Sequence, residues 1–268
     1  MTQRAAPRLP PRKVDVRGCA AFLWRLTPSS ISGTVRCKLP PRIRTCVIHP
    51  DGTIQARLPA ITTPGYEEII SYLYVDSHDG VHDLGAYKFR TVKRYRPGNV
   101  EIAGKSRIID LREVKDSWAS GSLVYGFSLN TTRPFIGDVA LASFFGAMLE
   151  VGYTDIVCTG FSTDEGRTAG GSISHVNGTN GDFRYLRNDG NVGPLHLALA
   201  HGAPELLDEV RQTSFNEALY RFGWRSMLSF RYERDGEVRL LARTQHFKNH
   251  HDHLHLQGYS PALEKIHE

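Results

Sequence analysis

Four histidines crowd into the six residues His250–His255, within the run Lys248-Asn249-His250-His251-Asp252-His253-Leu254-His255-Leu256. A hydrophobic core has no use for so many imidazoles in one place. His253 and His255 are two apart, so a strand turns both rings to one face, and neutral imidazole is the commonest protein ligand for zinc. Far upstream lies a second polar cluster, Ser174-His175-Val176-Asn177-Gly178-Thr179-Asn180-Gly181-Asp182. Together His175, Asp182 and His255 offer two imidazoles and a carboxylate, which leaves the fourth position of a tetrahedral zinc ion open for water. That is the composition of a catalytic site rather than a closed structural one. The competing reading is a solvated histidine-rich loop that scavenges metal. The pairing of two clusters, each with ligands that the other lacks, favours the site, and it requires a fold that brings distant segments together.

The 268 residues suffice for one large domain or two small ones, and 40% hydrophobic with 23% charged residues is ordinary for a soluble globular chain. No apolar run approaches the length that crosses a membrane. Met1–Lys13 is basic and proline-rich, and the apolar stretch after it, Cys19–Trp24, is cut short by Arg25. No secretory leader is therefore expected. Cys19, Cys37, Cys46 and Cys158 show no paired CxxC spacing, so they are not a zinc site of their own; one disulfide among the first three and buried reduced thiols both remain open. The first 45 residues carry ten Lys or Arg against the single acid Asp15. Such an arm suits an acidic polymer, an anionic lipid or a solvated tail. No helix-turn-helix, zinc finger or aromatic platform accompanies it, so nucleic acid is not the expected partner.

Residues 1–12 read as a flexible arm, with Pro7, Pro10 and Pro11 blocking regular structure. Thr45–His49 and Thr53–Leu58 flank Pro50-Asp51-Gly52 as a hairpin. Tyr66–Val75 fits a short helix or a strand. Val100–Ile102 and Arg107–Leu111 read as two strands parted by Gly104. No chemistry is apparent in residues 13–115, which read as an accessory or scaffold region. Gly137–Val151 is an expected helix, with Asp138 at its favourable N-terminal end and Gly152 after it. Thr154–Phe161 is an expected central strand, followed by a glycine-rich loop over 166–171. Pro204–Phe222 repeats apolar residues at helical spacing. Met227–Tyr232 and Glu237–Ala242 form an expected hairpin about Arg234-Asp235-Gly236, and the last strand is expected to hold the histidines. Helices packed on a largely antiparallel sheet give an α+β architecture.

These motifs resemble the LAS group of zinc peptidases, and within it the penicillin-insensitive murein endopeptidases. The signature Ser-His-x-x-Gly-x-Asp-x-Asp is matched by Ser174–Asp182, preceded by Gly170-Gly171, and His-x-x-His-x-His by His250, His253 and His255. Gly121-Ser122-Leu123-Val124-Tyr125-Gly126 is a weaker echo of a segment near the start of such domains. Asn180 stands where the family usually has Asp, Ser172 where a histidine is often found, and the family's late cysteine is missing. The resemblance covers about residues 118–260. It implies a zinc peptidase domain over 118–262 with a LAS/hedgehog-like fold, an antiparallel sheet carrying the metal and helices packed on it.

By the same resemblance, His175, Asp182 and His255 hold one Zn²⁺ per chain, His253 is the general base, and His250 binds the oxyanion or the water. Strand alternation leaves a choice there: a straight strand puts His251, not His250, on the face of His253 and His255, unless the strand starts later or bulges near Asp252. Asp252 is either an orienting partner for a ring or solvated, and His246 a surface residue or an outer partner. Arg167 is a candidate oxyanion or substrate contact; Tyr185 and Trp224 are core or groove residues. The implied activity is hydrolysis of peptide bonds in peptidoglycan stem peptides or cross-links, of the D,D-endopeptidase type. With no secretory leader expected, synthesis in the cytoplasm and action in the periplasm or wall of a target bacterium follow, as a secreted antibacterial effector or a phage lytic enzyme. The implied partners are peptidoglycan, an immunity protein that blocks the active site, and a secretion-machine or phage component. The competing functions are a D-Ala-D-Ala dipeptidase or carboxypeptidase, and a non-catalytic zinc-containing binding module of the hedgehog kind.

Overall fold

The hairpin expected at Pro50-Asp51-Gly52 joins β1 (Arg44–Ile48) to β2 (Thr53–Leu58), with Thr45 opposite Arg57. Asp51 closes the turn by accepting the Thr53 N–H at 2.8 Å. The computed structural model describes residues 44–58, 69–198 and 202–267. The arm expected at 1–12, together with Cys19 and Cys37, lies outside the described residues. Of the segment that fitted helix or strand, Ile69–Val75 is strand β3, and its period of two sends Ile70, Tyr72 and Tyr74 into the core. β4 (Val81–Lys88) and the C-terminal β17 (Ala262–His267) complete a five-stranded sheet in the order β17-β2-β1-β3-β4. The chain thus runs past its histidine motif and returns to pair with its first described hairpin.

Helix α1 (Asp138–Val151) forms where expected, and Gly152 ends it, donating its N–H to the Met148 carbonyl. Every residue from Ala140 to Leu149 is buried, and a helix apolar all round has to be covered on all sides. It packs against β1, β2 and β3, and also against β8 (Leu123–Leu129) and α2 (Glu209–Arg221). Tyr72 from the five-stranded sheet and Tyr125 from β8 both rest on Phe145, at ring distances of 5.6 and 5.3 Å. One hydrophobic core therefore runs through both sides of the boundary expected at 115–118, and the described residues form one compact unit.

The second sheet has seven strands in the order β15-β12-β16-β11-β10-β8-β7. Here β7 is Ser117–Ser120, β10 Ile156–Gly160, β11 Gly181–Phe183, β12 Trp224–Ser229, β15 Thr244–His246 and β16 Leu254–Tyr259. The architecture of the described residues is α+β, mostly sheet with two helices. A third sheet joins β5 (Arg90–Arg96), β6 (Val100–Asp110) and β9 (Phe135–Gly137). β6 is one strand where two were expected: the chain passes Gly104 with a register shift rather than a break.

The second expected helix also differs. Pro204–Leu206 is a separate 3₁₀ turn, and α2 starts only after Asp208, whose carboxylate accepts the Arg211 N–H at 3.1 Å. That side-chain cap fixes the true beginning. Phe215, Leu219 and Phe222 enter the core, whereas Val210 is 78% exposed. The expected hairpin about Asp235-Gly236 is shorter, β13 (Tyr232–Arg234) with β14 (Glu237–Arg239), because Met227–Ser229 belongs to β12. Cys46 is a buried free thiol, pushed up to about 12 by burial. No helix among the described residues is long and apolar enough to cross a membrane.

Gly178 marks a close backbone approach between the His175 loop and β9. Its φ is +65°, and a Cβ there meets the Gly137 nitrogen at 2.4 Å and the Ile136 carbonyl carbon at 2.6 Å. Backbone cannot give way as a side chain does. Gly178→Ala is expected to destabilise the protein by about 2–5 kcal/mol, the sum of a left-handed alanine and overpacking, read as a lower denaturant midpoint at unchanged slope.

Candidate metal centre

Register places the first two donors. β11 lies between β10 and β16, antiparallel to both, and Asp182 sits directly opposite His255. On the same strands Phe183 opposes Leu254, and both are fully buried. Phe183 packs on Phe144 of α1 at 5.2 Å and on Phe215 of α2 at 5.8 Å. Alternation then leaves Asp182 and His255 together on the opposite face. His255 Nδ1 lies 2.7 Å from Asp182 Oδ1.

His175 arrives from a loop. Its Nε2 is 3.0 Å from Asp182 Oδ2, and its ring meets that of His255 at 4.9 Å. The three ligand atoms lie within 4.8 Å of one another, and all three residues are buried, with exposures of 1%, 8% and 4% for His175, Asp182 and His255. A buried group of two imidazole nitrogens and a carboxylate on one point could hold a metal ion. The donor set fits a divalent cation: burying a carboxylate is costly unless positive charge meets it, and two imidazole lone pairs can turn to the same ion. Ser174 Oγ lies 3.3 Å from His255 Nε2, the nitrogen turned away from Asp182, and helps to fix that ring.

The remaining histidines divide. β16 starts only at Leu254, so His250 to His253 lie in an irregular segment with a bend at 251–252, ahead of the strand. This is the late start that lets His250 reach the group. Its ring stands 4.7 Å from that of His253 and 5.2 Å from that of His255. His251 turns away to stack on His196 at 4.9 Å. His253 Nε2 is 3.8 Å from Asp182 Oδ1, while its Nδ1 is held by Asp252 at 2.7 Å. Tyr185 is a core residue that anchors this segment, donating to the His250 carbonyl at 2.6 Å and accepting the Phe230 N–H at 3.2 Å. Trp224 is core as well, its indole N–H bound to the Thr179 carbonyl. His246 is exposed and accepts the Arg231 N–H.

Arg167 is not at the group. Its guanidinium lies over the Tyr95 ring at 5.4 Å and faces Glu165 at 3.6 Å, with the side chain 45% exposed. The arginine that contacts the donors is Arg133, whose Nη2 donates to Asp182 Oδ2 at 3.2 Å. Sequence reasoning missed it. Gly160 makes the approach possible: it opposes Asp182 across the ladder, and a Cβ there meets the Arg133 Nη2 at 3.0 Å. Arg133 Nη1 is buried without a hydrogen-bond partner among the described residues. Arg133 also lines an open polar recess of about 520 Å³ with Asn130, Thr131, Thr132 and Thr159. A larger recess of about 590 Å³ lies elsewhere, and its arginines Arg234 and Arg239 already pair with Glu209.

Charge separates the histidines further. Burial opposes ionisation of Asp182, but the hydrogen bonds from His175 and His255 outweigh it and hold the carboxyl far below its usual range. Burial, then the cationic forms of His253 and His255, pushes His250 down to about 4. Burial also works against a charged His253, yet the Asp252 hydrogen bond and the Asp182 charge prevail and raise it. The proton affinities of two adjacent imidazoles are thus driven in opposite directions. No known family model and no curated protein matches this chain.

Proposed function

We propose that the chain is a zinc-dependent hydrolase that cleaves peptide bonds in peptidoglycan stem peptides or their cross-links. The observation that carries the proposal is the convergence of His175, Asp182 and His255 on one buried point with His250, His253 and Arg133 around it. The motif resemblance supplies the substrate class and the expectation of a LAS-like fold. A structural zinc site closes its coordination with four protein ligands; this group has three, and a basic imidazole beside them.

When bound, zinc supplies a Lewis acid that polarises a carbonyl and makes water acidic. The chain supplies the rest. Asp252 holds His253 through Nδ1, which leaves Nε2 as the lone pair that takes a proton from the attacking water and returns it to the leaving amine. His250, neutral at physiological pH, hydrogen-bonds the water or the tetrahedral oxygen. Arg133, held to Asp182 through Nη2, supplies positive charge beside the group that favours developing negative charge. The polar recess beside Arg133 suits the amides and carboxylates of a stem peptide.

The test is metal analysis of the purified chain together with digestion of purified muropeptides, with and without chelator, read by mass spectrometry. One zinc per chain and chelator-sensitive conversion of cross-linked dimers to monomers is the expected result. Loss of a single terminal D-alanine instead identifies a carboxypeptidase, and bound zinc with intact muropeptides identifies a binding module.

A further inference from the structure

We infer that Asn177 is a positioning residue for the metal group, and that it works by docking the His175 loop onto the β5–β6 hairpin. This rests on the metal-binding reading of His175, Asp182 and His255, not on peptidoglycan as the substrate.

Asp182 and His255 are held by a sheet; His175 is not. It lies in the irregular segment between β10 and β11, where a ligand must be fixed by contacts outside its own ladder. Two residues beyond it, Asn177 adopts φ +59°, a conformation that asparagine tolerates better than most residues. Its side chain then makes three hydrogen bonds to one hairpin. The amide oxygen accepts the Tyr95 N–H at 2.9 Å and the Ser106 hydroxyl at 3.1 Å, and the amide nitrogen donates to the Tyr95 carbonyl at 2.7 Å.

β5 is an edge strand of its sheet, in the order β5-β6-β9, and an edge strand exposes backbone groups that need partners. Asn177 meets both the donor and the acceptor of Tyr95, as the backbone of a further strand does. The peptide is tied on its other sides as well: Asn177 N–H donates to the Gly166 carbonyl at 2.8 Å, and the Gly178 carbonyl accepts the Gly137 N–H at 2.8 Å. A second clasp joins the same two segments. Asn99 and Thr168 exchange hydrogen bonds of 2.9 and 3.2 Å, and Gly98 N–H reaches the Ile173 carbonyl at 2.8 Å. Arg167, lying over Tyr95, belongs to this clasp rather than to the chemistry. A hairpin with no ligand of its own therefore sets where the His175 imidazole points.

The test compares the full-length chain with N177G and N177D. Glycine keeps the left-handed backbone and removes all three hydrogen bonds; aspartate keeps the acceptor and removes the donor to Tyr95. Zinc affinity is measured by competition with a chromophoric chelator, ligand geometry by the visible spectrum of the cobalt-loaded protein, and coupling by amide exchange of β5 with and without zinc. N177G is expected to retain its far-UV circular dichroism, to bind zinc roughly 10–100-fold more weakly, the range for partners that orient a ligand, and to show an altered cobalt spectrum, with N177D between the two. Zinc is expected to slow exchange at Tyr95 in the wild-type chain only. Equal zinc affinity and an unchanged cobalt spectrum in a folded N177G overturn the inference and leave the metal reading standing. Should N177G not fold, absence of zinc-dependent protection at Tyr95 in the wild-type chain overturns it in the same way. A wild-type chain that binds no divalent cation overturns both.

Discussion

Asp182→Asn is expected to abolish zinc-dependent stabilisation and to reduce hydrolysis to background. Asp182 is the hub of the group: it contacts His175 at 3.0 Å, His255 at 2.7 Å and Arg133 at 3.2 Å. Asparagine keeps its volume and one carbonyl oxygen, but it carries no charge and cannot offset a dication together with the nearby guanidinium. A ligand that binds only the folded state at about a thousand times its dissociation constant adds ~4 kcal/mol. For a chain of this size that corresponds to roughly 8–16 °C in melting temperature. The wild-type chain is expected to lose that increment when chelator is added, and the variant is expected to melt at the same temperature with or without it. The comparison has to be the chelator-induced shift. The variant also leaves Arg133 partly buried without its carboxylate, which lowers its stability for a separate reason. A variant that keeps the full shift rules out Asp182 as a ligand.

The donors were legible because each lies in a motif that is local in sequence, and the pairing of Asp182 with His255 follows strand alternation, whereas His175 sits in a loop that alternation does not reach. Phe183, Leu254 and Leu256 are apolar and buried, so their neighbours Asp182 and His255 had to share the other face. Alternation gave no decision on His250 and His251, because both precede β16 and side-chain direction in an irregular segment has no fixed period. The packing of His196 and Phe230 around His251 decides it. Arg133 was out of reach because its loop carries no motif and its approach depends on the β10–β11 register. The one available signal was Gly160, since a glycine inside an apolar strand marks close passage of another group. Arg167 was a candidate because related peptidases carry an arginine upstream of the first ligand, but position in sequence does not fix where a side chain lands. The task of the β5–β6 hairpin was illegible for the same reason: Tyr95 and Asn177 are 82 positions apart. Chain ends of helices were misjudged where a side chain decides them, as Asp208 does for α2.

His253→Ala is expected to leave zinc in place and to lower hydrolysis by ~10²–10⁴-fold, the usual worth of a positioned general base. Three observations separate His253 from the ligands. Its Nε2 is 3.8 Å from Asp182, whereas the nitrogens of His175 and His255 stand at 3.0 and 2.7 Å. Its Nδ1 is occupied by Asp252 at 2.7 Å, so one tautomer is fixed and the basic lone pair faces the group. Finally, its proton affinity is raised while that of His250 is pushed down to about 4, so His253 is the stronger base of the two. Asp252→Asn removes the orienting charge but keeps the imidazole, and a smaller loss of about tenfold is expected, within the range for partners that orient a functional ring. Zinc content and turnover are measured on the same preparation, because the two quantities discriminate. Loss of zinc in His253→Ala makes His253 a fourth ligand and the site a closed one, which favours the binding-module reading. Zinc retained with turnover unchanged returns the base assignment to His250, despite its low proton affinity. Zinc retained with turnover lost requires a group that acts on the proton and not on the metal, and the geometry offers His253 in the orientation that such a group needs.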